Sequence, residues 1–420
     1  MKGIHLVFAI CPDGLVKPPG RRKCKSRSNA PSFAAAARRL GVKSLTVFAS
    51  FAVALLSGCG GTWPGTHSIA PTPPSEPPIT TTGSSNFVAV GNMNVARADH
   101  VAVLLPNGKV LIAGGVSVAY PVEQPLASAE VYDPSTHSFA PTGSMNVPRS
   151  SPGAVLLANG KVLVVGGAQD LSAEIYDPST GTFTSAGNMV SADAADPPSI
   201  FDFRLPTLLQ DGRVLVQGVN AEIYDPATGV FSLTAAYADA DPLWLTSTLL
   251  QDGRVLLTGW CARSCESGAT ELYDPRTSTF SLASQFAQEG NVNTATLLTN
   301  GKVLFVGSDE SDLPADAELF DPAAGTVDSI GKTVGPHEYS AALRLSNGSV
   351  LITGSVLAGG SGNAEADLYD PSTGMAAVAG NMTVGRHSHT ATLLPDGTVL
   401  IAGGHTTWPD STNTAEIYKP

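Results

Sequence analysis

The side chains best suited to contact a ligand are aromatic rings and carboxylates in segments without a regular strand pattern. Three of the four tryptophans lie in such segments. An indole or phenol ring can stack on the apolar face of a sugar while a carboxylate accepts hydrogen bonds from the hydroxyl groups, although each ring could instead anchor its own loop. The candidate ligand contacts are Tyr120, Asp193, Asp196, Asp241, Trp244, Trp260, Glu266, His387 and Trp408.

A repeated β-hairpin must position these residues. Residues 104–115 read Leu-Leu-Pro-Asn-Gly-Lys-Val-Leu-Ile-Ala-Gly-Gly, with two apolar runs around an Asn-Gly pair that is typical of a hairpin turn. The turn glycine recurs at intervals of 41 to 52 residues, as Gly108, Gly160, Gly212, Gly253, Gly301, Gly348 and Gly397. A period of this size predicts a β-propeller.

The second repeat shows the complete unit most clearly. Strands are predicted at 151–157, 161–167, 173–176 and 182–186, and the turn Tyr-Asp-Pro-Ser-Thr-Gly separates the last two. The aspartate of this turn recurs as Asp133, Asp177, Asp225, Asp274, Asp321 and Asp370. Because each precedes a proline in the same local turn, we interpret these carboxylates as structural, not as a metal or acid–base set.

Four sequence patterns of the unit resemble the kelch repeat. They are Arg-x-x-His-x-Ala-x-Leu-Leu, Gly-Lys-Val-Leu-x-x-Gly-Gly, Ala-Glu-Ile-Tyr-Asp-Pro and Phe-x-x-x-Gly-x-Met, and the resemblance covers residues 87–420. It implies four-stranded blades around an axis, as in the propeller domain of galactose oxidase. Galactose oxidase-like proteins hold copper with two tyrosines, two histidines and a Tyr–Cys cross-link, and none of those motifs can be matched here residue by residue.

The chain ends predict how the ring closes. The seventh repeat stops after three strands, and residues 87–93 match fourth strands such as residues 183–189. We therefore expect an all-β, seven-bladed propeller of four-stranded kelch-type blades, closed by strand 87–93 in the last blade and present as a monomer.

The order of strands predicts which end of the ring binds a ligand. In an up-and-down blade, turns after strands one and three share one face, and connections after strands two and four share the other. The first face receives the uniform Asn-Gly, Asp-Gly and Asp-Pro turns. The second, here called the variable face, receives the irregular loops with the candidate contacts, and loops on a rigid scaffold often carry function.

Arginine and histidine recur at matching positions in the repeats. Eleven residues before the turn glycine stand Arg97, Arg149, His337 and Arg386, and eight residues before it stand His100 and His389. Matching positions indicate a shared structural role, with an anion or sugar contact as the alternative. His387 occurs in the seventh repeat alone and is the first residue to test.

The first 86 residues predict export and anchoring. The apolar run 45–56 follows Arg38, Arg39 and Lys43 and is too short to span a membrane, so residues 1–58 are interpreted as a signal region. Leu-Ser-Gly-Cys at 56–59 resembles the bacterial lipobox, which implies a diacylglycerol on Cys59. Residues 59–86 are rich in Pro, Thr and Ser and predict an extended tether that holds the propeller, residues 87–420, in the bacterial cell envelope. The lipid is then the membrane contact.

Charge and cysteine content narrow the function. Beyond residue 58, 14 basic residues face 35 acidic ones, a net charge of −21, which argues against nucleic acid as a partner. Cys261 and Cys265 lie in one predicted loop, where an exported protein favours a disulfide, and the two further ligands that a metal site would need are not near in sequence.

These observations favour a binding module over an enzyme. We expect a carbohydrate or protein ligand on the variable face, with no cofactor and no assigned catalytic residue. The alternative is a carbohydrate-active enzyme on a propeller, either a sugar mutarotase, which needs only placed acid and base groups, or an oxidase-like protein.

Overall fold

Four-stranded antiparallel sheets build the part of the chain that the computed structural model describes. That part comprises residues 86–118, 124–167, 171–190, 204–218, 220–238, 242–261, 269–285, 291–308 and 313–420. Within these ranges the protein is all-β, and no helix is long and apolar enough to cross a membrane.

The described strands form seven blades, in which strand order follows chain order except in the last. Blade 1 contains β2 (Val101–Leu104), β3 (Val110–Ala113), β4 (Ala129–Asp133) and β5 (Ser138–Pro141); blade 2 contains β6 (Gly153–Leu156), β7 (Val162–Val165), β8 (Ser172–Asp177) and β9 (Thr182–Asn188). Blade 3 contains β10 (Leu205–Leu208), β11 (Val214–Gln217), β12 (Glu222–Asp225) and β13 (Val230–Leu233); blade 4 contains β14 (Pro242–Leu249), β15 (Val255–Cys261), β16 (Ala269–Asp274) and β17 (Thr279–Gln285). Blade 5 contains β18 (Asn291–Leu297), β19 (Val303–Ser308), β20 (Asp316–Asp321) and β21 (Thr326–Lys332); blade 6 contains β22 (Ala341–Arg344), β23 (Val350–Thr353), β24 (Glu365–Asp370) and β25 (Met375–Asn381). Blade 7 contains β26 (Thr390–Leu393), β27 (Val399–Ala402), β30 (Ala415–Tyr418) and β1 (Phe87–Ala89), and a small hairpin, β28 (His405–Thr407) and β29 (Asp410–Ser411), projects from it.

The hydrophobic core lies between neighbouring blades. All four residues of β3 and all four of β27 are buried, because second strands are covered on both faces and therefore read as continuous apolar runs. One cluster packs Ile112 of blade 1 against Leu400 and Ile417 of blade 7. The first and last blades are thus in contact, and the seven-bladed ring predicted from the sequence is confirmed.

The chain termini close the ring in blade 7 as predicted, although the strand is shorter. Strand β1 pairs antiparallel with β30, with Phe87 opposite Tyr418 and Ala89 opposite Glu416. The expected strand 87–93 ends at Ala89 instead. The Val90 amide still donates to the Ala415 carbonyl of β30 at 3.0 Å, and the Met93 amide donates to the Asn413 carbonyl at 2.8 Å. Between them the Gly91 amide donates to the His137 carbonyl of blade 1 at 3.0 Å, which interrupts the regular strand pairing.

The Asp-Pro turns have the structural role that was predicted. Asp177 accepts hydrogen bonds from the amide and the hydroxyl of Ser179, at 2.9 and 2.6 Å, and pairs with Lys161 at 2.9 Å. The Ser179 hydroxyl and then Lys161 hold the pKa of this carboxyl well below its usual range. The carboxylate is therefore occupied within its own turn and the neighbouring hairpin.

Candidate functional site

The recurrent arginines form buried ion pairs that hold the chain ahead of the first strand of their blades. The fully buried Arg97 guanidinium lies 3.1 Å from a Glu130 carboxylate oxygen and donates to the Gly114 carbonyl at 2.8 Å. The same carboxylate accepts from the amides of Asn94 and Val95, which fixes the chain ahead of β2. Buried charges need this degree of hydrogen bonding to be tolerated.

Other blades repeat the same pair. Arg149 lies 3.2 Å from Glu174, and Arg386 lies 2.9 Å from Glu416. Blade 6 has shorter side chains at both positions, and His337 Nε2 lies 3.0 Å from Asp367 Oδ2. The shared structural role predicted for these positions is confirmed. The partner acidic residue of strand three was missed, although its place in the repeated Ala-Glu-Ile-Tyr-Asp-Pro pattern was a usable signal.

His100 and His389 join neighbouring blades. His389 Nε2 lies 2.8 Å from the Thr353 hydroxyl of blade 6, and His100 Nε2 lies 3.0 Å from the Thr390 hydroxyl of blade 7. Burial, reinforced by nearby Arg97, lowers the pKa of His100 to about 3, and burial also lowers that of His389. Both rings are therefore neutral structural links at ordinary pH.

A cluster of aromatic and polar side chains lies where blades 6, 7 and 1 meet on the variable face. The rings of His387 and His405 are buried with centroids 5.2 Å apart. Trp408 is 47 % exposed and packs against both, at 5.1 Å from His405 and stacked at 6.5 Å on His387. Tyr339 lies 6.3 Å from His387, and Asp99 Oδ2 lies 3.5 Å from His405 Nε2. We call these five residues the ring-closure site.

Three blades each contribute a residue with positive φ at or next to this site. The residue nine positions before the turn glycine has φ of +53° at Asp99, +52° at Tyr339 and +52° at Ser388. The Asp99 amide donates to the Ser388 carbonyl at 3.0 Å, and the Ser388 amide donates to the Tyr339 carbonyl at 2.9 Å. Ser151 stands at the same position of blade 2 with φ of +44°, so this rarely adopted conformation belongs to the repeat and is not confined to this site.

Backbone contacts from neighbouring loops hold the small hairpin β28–β29 in place. His387 and His405 exchange amide-to-carbonyl hydrogen bonds of 3.1 and 2.9 Å. The Trp408 amide donates to the Gly360 carbonyl of blade 6 at 2.8 Å. Gly404, with φ of +97°, permits this packing, since a Cβ there would lie 2.6 Å from the His387 carbonyl oxygen. The exposed tryptophan is thus carried on an anchored loop.

One of the two imidazoles has unused hydrogen-bonding capacity. Among the described residues, Nε2 of His387 is buried without a hydrogen-bond partner, whereas Nε2 of His405 contacts the Asp99 carboxylate at 3.5 Å. Burial lowers the pKa of His387 to about 4, with His405 adding to the shift and Asp99 opposing it. His387 is therefore neutral near pH 7. Buried polar atoms without partners are uncommon and mark places where a ligand or water can bind.

Comparisons with known proteins agree with the fold. The Kelch motif family model matches residues 97–146. The chain is a β-propeller with a Kelch motif, called the kelch propeller below. Among solved structures, this propeller is similar to a novel fungal alcohol oxidase with catalytic diversity among the AA5 family, solved in complex with copper. The TM-score is 0.61, and the match has 16 % sequence identity and covers 80 % of this chain and 75 % of that one. At this identity the likeness concerns the fold alone. A search of curated protein sequences finds no match to this propeller.

The described residues of the kelch propeller do not reproduce a copper site. Within the described ranges, no group of three or more His, Cys, Asp or Glu side chains is placed to hold a metal ion. Tyr339 is 58 % exposed and approaches His387 by its ring, at 6.3 Å between centroids. We therefore derive no chemistry through copper for this chain.

The predicted ligand contacts are distributed unevenly over the propeller. His387 and Trp408 come together in the ring-closure site, and the sequence did not place His405, Asp99 or Tyr339 with them. Five predicted ligand contacts lie outside the described residues, namely Tyr120, Asp193, Asp196, Asp241 and Glu266. Cys59, predicted to carry the lipid, and Cys265, predicted to form a disulfide with Cys261, lie outside them as well.

The tryptophans of blade 4 lie in strands, which corrects the prediction that they belong to loops. Trp244 is opposite Gly259, and Trp260 is opposite Leu243, in the β14–β15 pair. Cys261 ends the same strand, opposite Pro242. This pairing runs longer than in blades 1 to 3, because β14 has eight residues and β15 seven. A longer hairpin converts the expected loop start into strand.

Proposed function

We propose that this kelch propeller is a binding module that takes a carbohydrate ligand at the ring-closure site. The observation that carries the proposal is the half-exposed Trp408 ring, backed by two buried imidazoles and anchored through its backbone to blade 6. A rigid amphipathic ring can stack on a sugar with little loss of conformational entropy. Asp99, one-third exposed beside it, can accept a hydroxyl hydrogen bond.

Glycan binding by Trp408 variants tests this proposal. We expect a glycan array to identify a ligand, and Trp408→Ala to weaken its binding at least tenfold in calorimetry without changing the unfolding midpoint. Leu282→Ala is the matched control, because Leu282 is 67 % exposed on an outer strand of blade 4. Unchanged binding by Trp408→Ala refutes the site, and loss of binding on Trp260→Ala instead assigns the ligand to blade 4. If the propeller captures a protein and binds no glycan on the array, the carbohydrate ligand class is refuted.

A sugar mutarotase is a second candidate, favoured by the pairing of Asp99 with His405 beside the unpartnered Nε2 of His387. In this reaction a base removes the proton of the anomeric hydroxyl while an acid protonates the ring oxygen, and the C1–O5 bond breaks to give the open aldehyde. Reclosure on the other carbonyl face reverses both proton transfers, so no cofactor is consumed.

Exchange spectroscopy of sugar anomers measures this activity directly. A mutarotase accelerates anomer exchange above the buffer rate, and Asp99→Asn or His387→Gln abolishes the acceleration. Exchange at the buffer rate for every ligand found on the array leaves the binding module as the function.

We further propose that the propeller is exported and anchored through a lipid on Cys59 in the bacterial cell envelope. The basic residues, the apolar run and the Leu-Ser-Gly-Cys sequence support this proposal. Labelling with radioactive palmitate tests it: the wild-type chain incorporates label, and Cys59→Ser does not. Incorporation by Cys59→Ser refutes the assignment.

A further inference from the structure

We propose that the buried pair of His337 and Asp367 makes blade 6 sensitive to pH, because the pair holds Tyr339 in the ring-closure site only while the His337 ring is doubly protonated. The effect on ligand binding rests on the proposed carbohydrate-binding function, whereas the effect on the backbone does not. Three observations carry the inference: the acceptors around His337, the arginines at the same position of other blades, and the hydrogen bonds of residues 334–339.

Both ring nitrogens of His337 face hydrogen-bond acceptors. Nδ1 lies 3.2 Å from the Gly354 carbonyl oxygen, and Nε2 lies 3.0 Å from Asp367 Oδ2. A doubly protonated ring can donate to both acceptors, whereas a neutral imidazole has a single N–H. Whichever nitrogen keeps that hydrogen, the other nitrogen then opposes an acceptor inside the protein. Loss of one proton therefore removes a buried hydrogen bond in either tautomer, which is costly.

Other blades place a charge that does not titrate at this position. Arg97 and Arg386 donate to the carbonyls of Gly114 and Gly403, which correspond to Gly354 in the repeat, and each pairs with the glutamate of strand three. A guanidinium stays charged in proteins, whereas histidine is the side chain that ordinarily changes charge between about pH 5 and 8. Blade 6 thus carries a titratable form of the same contact.

The carboxylate beside His337 opposes the effect of burial. Burial disfavours a charged imidazole, and it lowers the pKa of the buried His389, which meets the Thr353 hydroxyl at 2.8 Å. His337 instead meets Asp367, and both side chains are fully buried. An imidazolium and a carboxylate neutralise each other and share a charge-assisted hydrogen bond. The proton is therefore held by the pair and not by the ring alone.

The other charged and titratable groups around His337 do not replace it at Asp367. They belong to its own segment, to β24 and to blade 7, and are Glu338, Glu365, Arg386 and His389. The guanidinium of Arg386 is bound to Glu416 at 2.9 Å, and the two glutamates add negative charge, which favours a protonated ring. From blade 5, the uncharged Asn293 amide reaches the His337 carbonyl at 3.5 Å.

The pair also fixes the segment that carries Tyr339. Asp367 Oδ2 accepts from the amides of Val334 and Gly335, at 2.7 and 3.1 Å, in addition to its contact with His337. At the other end of the segment, the Tyr339 carbonyl accepts from the Ser388 amide at 2.9 Å. Tyr339 is 58 % exposed, so its position depends on these backbone attachments more than on burial. Deprotonation weakens the first attachment and loosens residues 334–339.

Hydrogen exchange of the purified full-length chain tests the proposal without a ligand. The reference is the double variant His337→Arg with Asp367→Glu, which installs the residue types of the Arg97 and Glu130 pair. Comparison of the two proteins at equal pH removes the intrinsic pH dependence of exchange. One proton changes an opening equilibrium by up to about tenfold per pH unit. We therefore expect equal protection of residues 333–340 at pH 5.5 and at least tenfold weaker protection in the wild type at pH 8.5.

Two results would overturn the proposal. One is a ratio of protection between the two proteins that is the same at both pH values. The other is a ¹⁵N spectrum that shows a neutral His337 ring at pH 5.5 in the wild type, where we expect both ring nitrogens to be protonated. The spectrum decides the question even if the double variant does not fold.

An array of neutral oligosaccharides, read at pH 5.5 and 8.5, separates this inference from the function on which it rests. We expect wild-type binding to weaken at least fivefold at the higher pH and the double variant to bind equally at both. Binding that falls equally in the two proteins overturns the coupling to the site. Protection that depends on pH, with no glycan bound, sustains the sensitivity of blade 6 and refutes the carbohydrate function. Protection that is independent of pH, with binding abolished by Trp408→Ala, overturns the inference and leaves that function intact.

Discussion

Replacing Phe87 with alanine should lower the free energy of unfolding by about 4 kcal/mol. Phe87 is 2 % exposed, its ring lies 4.9 Å from that of Tyr418, and it packs into the cluster between blades 6 and 7 with Leu351. Burial of roughly 150 Å² of aromatic surface at about 25 cal/mol per Å² gives about 4 kcal/mol. This lies within the range of about 3–5 kcal/mol for Phe→Ala substitutions in protein cores.

Urea unfolding followed by tryptophan fluorescence measures this loss. The matched control is Val88→Ala in the same strand, which should cost less than about 1 kcal/mol because Val88 is 44 % exposed. Phe183→Ala in blade 2 is the internal reference, since its ring meets Tyr176 at a similar 4.8 Å. Equal midpoints for Phe87→Ala and Val88→Ala would show that β1 does not close the ring, and would refute the reasoning.

Three further predictions concern the scaffold. Burial lowers the pKa of His100 to about 3 in the folded protein, against about 6.5 in the unfolded chain, so the unfolded chain binds more protons between these pH values. The free energy of unfolding therefore falls by about 1.4 kcal/mol per pH unit as the pH drops through that window. Denaturation between pH 7 and 4 should show a smaller slope in His100→Gln, and an unchanged slope contradicts the assignment. Arg149→Met should cost about 3–5 kcal/mol in urea unfolding because it leaves Glu174 buried and unpaired, and adding Glu174→Gln should recover part of that loss. Gly404→Ala should lower the thermal unfolding midpoint more than Gly374→Ala. Both glycines have positive φ, but only at Gly404 would an added Cβ lie 2.6 Å from a backbone carbonyl oxygen. Equal losses in the two variants would exclude this clash.

The blade pattern was predictable because it depends on local chemistry. An Asn-Gly or Asp-Gly turn and an Asp-Pro turn specify hairpins within a few residues, and their recurrence reveals the period. Closure was predictable as well, because a fourth strand without its first three can pair only with an incomplete blade. The exact end of β1 was not, since it depends on the contact of Gly91 with His137 of blade 1.

The sequence by itself therefore determined the repeat, the number of blades and the strand that completes the ring, because turns and apolar runs act over short distances along the chain. Only the tertiary structure decided which residues form the ring-closure site. Asp99 belongs to the start of the propeller and His405 to its end, and the closed ring brings them to 3.5 Å from each other. No local pattern encodes that distance, because it depends on how the blades pack around the axis.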